Sequence, residues 1–114
     1  MTVRYLIRLP DPAAAHGDDP ALSFTANGMD AFAEQLQNAL RNDRLFELWR
    51  KGQDDPDAVD MAFAKVDPNA QVSGEQEDLH IDLTVTTNLP GDVLCHRMNL
   101  LAGNHWELRK VSPL

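Results

Sequence analysis

Between Leu79 and Lys110 the chain reads as strand, turn, helix, stop and strand in unbroken succession. Leu79, Ile81, Leu83, Val85 and Thr87 alternate with His80, Asp82, Thr84 and Thr86, the period-two pattern of a strand with one oily and one wet face. Leu89-Pro90-Gly91-Asp92 then suits a helix start, and the helix runs to Ala102 before Gly103-Asn104 stops it. Beyond that stop, Trp106 and Leu108 alternate with His105, Glu107 and Arg109 as a last strand.

The amino-terminal half is patterned less evenly. Val3, Tyr5, Ile7 and Leu9 alternate with Arg4, Leu6 and Arg8, predicting a strand over 2–9, and Pro10, Pro12, Gly17 and Pro20 mark the loop that follows. Leu22, Phe24 and Ala26 form an optional short strand ending at Asn27-Gly28. Met29, Phe32, Ala33, Leu36 and Leu40 fall on one stripe at ~100° per residue, predicting a helix over 29–41. The same wheel would place Leu45, Phe46, Leu48 and Trp49 opposite that stripe, so one straight helix cannot bury both sets. A second helix over 43–51 resolves the conflict, capped by Asn42 or Asp43 and stopped by Gly52. Val59, Met61 and Phe63 alternate with Asp60, Ala62 and Ala64 as a third strand, and polar 67–78 reads as a long hairpin loop.

Without the optional strand the order is β-α-β-β-α-β. That order predicts one α+β domain over 1–114: a two-layer sandwich, a mostly antiparallel sheet with helices on one face, ferredoxin-like (split βαβ) by preference.

Composition narrows the function classes. Apolar residues make up 43 % of 114, enough for a core without a metal or disulfide staple. Ten Lys+Arg against 18 Asp+Glu give a net charge of −8, which argues against nucleic acid as a partner. The acids gather at Asp11, Asp18 and Asp19, at Asp54, Asp55, Asp57 and Asp60, and at Glu75, Glu77 and Asp78, as solvated loops would. Their spacing does not match a calcium loop. The single cysteine cannot close an internal disulfide, and the start of the chain lacks a signal-peptide pattern, so the expected location is cytoplasmic. No apolar run suits a membrane span, and no motif calls for a cofactor or a metal.

Candidate chemistry sits on the wet face of the sheet, where Arg4, Arg8, His80, Asp82, Thr84, Thr86, His105, Glu107 and Arg109 are expected, softened by Leu6 and Val111. The leading expectation is a non-catalytic protein-binding or regulatory module, inhibitor- or immunity-like in its acidity. It would act through that face on a partner or on itself; a small-molecule ligand is left open. The alternative is a metal-dependent or acid/base enzyme using His80, Asp82 and His105, because a carboxylate orients an imidazole and two histidines with one carboxylate can hold a metal. Cys95 and His96 are helix neighbours about 100° apart and do not face each other. Arg97 lies mid-stripe among Val93, Leu94, Met98 and Leu101, so its guanidinium must snorkel, find a partner or bind an anion.

Overall fold

The alternating segment builds the strand that organises the sheet. In the computed structural model, which describes residues 2–113, β3 (His80–Thr87) buries Ile81, Leu83, Val85 and Thr87 and leaves the residues between them partly exposed. β1 (Val3–Leu9) pairs antiparallel with β3, from Val3 opposite Thr87 to Leu9 opposite Ile81. β4 (Glu107–Pro113) flanks β1, and β2 (Gln71–Glu77) flanks β3, each antiparallel, so the strand order is β2-β3-β1-β4. Three helices pack against this sheet: α1 (Met29–Arg41), α2 (Arg44–Lys51) and α3 (Gly91–Ala102).

The core lies between the layers. Ile7, Leu9, Ile81, Leu83 and Val85 from the strands meet Phe32, Leu36 and Leu40 from α1 and Leu94, Met98 and Leu101 from α3. Phe24 packs edge-on against Phe32, and Tyr5 donates its hydroxyl proton to the Leu89 carbonyl across the sheet's end. The break between α1 and α2 falls at Asn42-Asp43, as the two apolar stripes require. Asn42 Oδ1 accepts from the Arg44 amide at 3.1 Å. Gly103, at φ +60°, turns the chain out of α3 and donates its N–H to Asn99.

Three expectations about strands are corrected. Residues 59–64 are not extended: Met61–Ala64 is a turn of 3-10 helix, because the Asp60 carboxylate accepts from the Ala62 amide and curls the chain. The partner of β3 instead comes from the polar stretch expected to be a loop. β2 is an edge strand, mostly exposed, so it carries almost no apolar alternation. Its Gly74 sits where α1 begins, and a Cβ there would lie 2.6 Å from the Met29 carbonyl oxygen. Glycine in that strand therefore marks close backbone approach rather than a turn. The optional strand at 22–26 is also absent: the Phe24 amide bonds to Leu101 at the end of α3.

Candidate functional site

The sheet face turned away from the helices can be laid out row by row from the strand register. Gln71, Thr86, Arg4 and Ser112 form the first row, and Ser73, Thr84, Leu6 and Lys110 the second. Glu75, Asp82, Arg8 and Glu107 form the third, and Glu77 lies beside His80 in the fourth. Among the described residues two rows thus carry Arg4 and Lys110 with no carboxylate. The other two carry four carboxylates against Arg8 and His80. At ~3.3 Å per residue, the outermost rows lie about 20 Å apart. The face is electrically polarised along its strands.

One fixed ion pair lies within the acidic half. Arg8 donates from Nε to Asp82 Oδ1 at 3.0 Å and from Nη2 to Oδ2 at 3.4 Å, a two-pronged contact across β1 and β3. The Arg8 hydrogen bond holds the Asp82 carboxyl below the usual carboxylate range, against the opposing effect of its partial burial. His80 Nε2 lies 3.6 Å from Asp82 Oδ2. An aspartate engaged in this way is a weak proton acceptor near neutral pH.

The last strand departs from the expected pattern. Leu6 faces Lys110 while Ile7 faces Leu108, so Arg109 is an extra residue in a bulge. The bulge puts Lys110 and Ser112, in place of Arg109, in line with Leu6 and Arg4. His105 precedes the strand, in the connection from α3, where its amide bonds to Ala102. Accordingly His80 and Asp82 come together on the face, and His105 does not join them in the strand register. Among the described residues, no group of three His, Cys, Asp or Glu side chains is placed to hold a metal ion. Leu108 and Val111, on the other side of β4, are 43 % and 53 % exposed. Gln71, Ser73, Glu75, Lys110 and Ser112 escaped the reading of the chain because one polar edge strand and one bulge carry no periodic signal.

Arg97 has no exposure at all. Its Nη1 donates to the Phe63 carbonyl at 2.6 Å and its Nη2 to the Lys65 carbonyl at 2.9 Å, so it ties off the 3-10 turn that follows Asp60. The guanidinium also stands 5.9 Å from the Phe46 ring centre, within cation–π range. Next to it His96 stacks on Phe63 at 4.8 Å and meets Trp49 edge-on at 4.5 Å. Burial, and then the Arg97 charge, push the His96 imidazole below its ordinary value, and its Nδ1 has no hydrogen-bond partner among the described residues. Cys95 is partly buried, which raises its thiol.

Set beside known protein families, curated proteins and solved structures, the chain matches none. No helix among the described residues is long and apolar enough to cross a membrane.

Proposed function

We propose that this protein is a non-catalytic contact module that works through its open sheet face, and that the occupant best suited to that face is a second copy of the chain. The observation that carries the reading is the segregation of charge by row. A face positive at one end and negative at the other is self-complementary under a two-fold axis lying across the strands. In that stacking β4 lies over β4 of the second copy running the opposite way, and Lys110 meets Glu107 of the second copy. By the same operation Leu6 lies over Arg8 of the second copy and the Thr84 hydroxyl over its Asp82, so a nearly neutral row meets the row that carries the Arg8–Asp82 pair. Four strands of about seven residues give a footprint of roughly 19 by 23 Å. That is at the small end for a specific interface, so the dimer is weak and salt-sensitive.

We also read the fold as ferredoxin-like, a split βαβ with α2 as an addition. What supports this is the order β1-α1-β2-β3-α3-β4 together with the strand order β2-β3-β1-β4. A cytoplasmic setting accords with a lone cysteine.

Sedimentation equilibrium across concentration and salt tests the pairing. Lys110→Glu and Glu107→Lys each weaken self-association about tenfold or more, since each sets like charges face to face. Mixing the two variants restores it as a heterodimer. A wild-type chain that stays monomeric throughout, or variants that associate as the parent does, overturns the self-pairing. A monomer whose acidic rows captured a basic protein would instead fit the inhibitor- or immunity-like use of the same face.

One observation favours the enzyme reading with His80, Asp82 and His105: the 3.6 Å approach of His80 to Asp82. Its weakness is that Asp82 is already held by Arg8. Metal analysis of the purified protein, before and after His80→Ala, tests the metal version of this reading: stoichiometric metal lost in the variant promotes it, and metal-free protein removes it.

A further inference from the structure

Where β2 begins, the sheet edge and the last turns of α1 enclose an open concavity of about 640 Å3, within the ~300–1,000 Å3 common for small-molecule clefts. Its wall includes Arg4, Thr84 and Thr86 from the open face, Ser73 from β2, and Gln37 and Arg41 from α1. Among the described residues no carboxylate lines it, in a chain whose formal net charge is −8. The strand neighbours of Arg4 are Thr86 and Ser112 rather than acids, and Arg4 enters no ion pair among the described residues. Arg41 donates from Nε to the Ala70 carbonyl at 2.7 Å, which fixes its guanidinium at the start of β2 and leaves its Nη nitrogens without a hydrogen bond among the described residues. Gln37 Oε1 accepts from the Val72 amide at 3.0 Å, which leaves the side-chain NH2 as a spare donor.

We infer that this concavity is an oxyanion site for a phosphomonoester, with Arg4 and Arg41 as its charged partners and the hydroxyls of Ser73, Thr84 and Thr86 as neutral donors. Two guanidinium forks match the three terminal oxygens and double charge of a phosphate ester better than the two oxygens of a carboxylate. The space exceeds what bare phosphate fills, so the organic part of a small ester has room. All the donors belong to one chain, so the site does not depend on self-association, although a second copy on the open face would compete for Arg4. The cleft on the helix side, lined by Leu22, Leu45 and Leu48, offers Arg44 alone as a cation and nothing that names an occupant.

The test is an amide NMR titration with inorganic phosphate and, separately, with glycerol phosphate. It is run at concentrations where sedimentation shows monomer and against sodium chloride at matched ionic strength. Saturable shifts at Ser73, Thr84 and Thr86 are expected, with glycerol phosphate the tighter ligand. Arg4→Ala, at an exposed and unpaired position, weakens binding about tenfold or more while leaving the fold's spectrum intact. Arg41→Lys keeps the charge and loses the fork, and weakens binding by a smaller factor. Equal affinity for the two ligands would overturn the ester and leave a free-phosphate site. Shifts that chloride reproduces, or an Arg4→Ala protein that binds as the parent does, would overturn the site itself.

Discussion

Arg97 and Arg8 carry the same guanidinium into opposite surroundings. Arg97, on α3, is wholly enclosed: two backbone carbonyls take up its Nη donors and the Phe46 ring lies beside the guanidinium, while its buried Nε has no hydrogen-bond partner among the described residues. Arg8, on the open face, keeps part of its side chain in solvent and holds Asp82 through two contacts. The buried arginine has become structural: its charge is spent on carbonyls that no helix or sheet partner satisfies. The exposed one belongs to a charge pattern, where each member remains within reach of another molecule. Burial, rather than residue type, separates the arginine that holds the fold together from the one that stays on the surface proposed for contact.

Removing Arg97 tests that contrast most severely. Arg97→Ala leaves a cavity and two carbonyls without donors, and is expected to cost about 3–4 kcal/mol in urea unfolding. The shifts at Ser73, Thr84 and Thr86 with phosphate should persist in the folded fraction. A loss below ~1 kcal/mol would mean that the 3-10 turn does not need its clamp.

Asp67 comes next. It is buried, and it accepts from the Thr87 hydroxyl at 2.7 Å and from the Asn69 and Asn88 amides. Burial pushes its carboxyl up, but these bonds and the nearby Arg41 charge outweigh burial and leave it below the ordinary range. Asp67→Ala strands those donors and should cost about 2 kcal/mol by the same measurement.

Acid then separates His96 from the depressed carboxylates Asp67 and Asp82. His96 is depressed in the folded state, so its contribution is intact above the unfolded value of about 6.5 and is lost as pH falls toward the folded one. Asp82 is depressed from about 3.9, so its contribution is full above that pH and fades only below it. Stability should therefore decline in two steps on acidification, the upper step vanishing in His96→Phe and the lower one shrinking in Asp82→Asn. A single step near pH 4 would remove His96 from the account.

The smallest stability effect belongs to Asp82→Ala, expected below ~1 kcal/mol because the Arg8 pair remains partly hydrated. Its consequence for self-association should be larger than its consequence for folding. Equal losses in both would blur the distinction between the regions.

The chain itself displayed the strands whose faces differ. Ile81, Leu83 and Val85 are buried on the side their spacing indicates, and α1 and α3 end where Asn42 and Gly103 stop them. At the open face, Arg4, Arg8, His80, Asp82 and Thr84 were legible because they share strands with buried alternates. The contributions of β2 and β4 were not. Gln71–Glu77 is exposed nearly throughout, so hydrophobic periodicity has nothing to register there. The shift between Leu6 and Ile7 depends on how β4 meets β1, and no residue of β4 announces it. Residues 59–64 show the converse error: alternation at Val59, Met61 and Phe63 suggested a strand, yet a capping aspartate and a remote arginine imposed a tight turn.

Local periodicity determined which residues face the core and where the two long helices start and stop, because burial acts on neighbours in sequence and repeats with the geometry of each element. Tertiary structure alone decided that acids and bases segregate into rows, that Lys110 and Glu107 share one face, and that Arg4 and Arg41 meet at one concavity. Those outcomes rest on strand order and register, which are set by contacts between segments tens of residues apart and leave no mark on the spacing within any one of them.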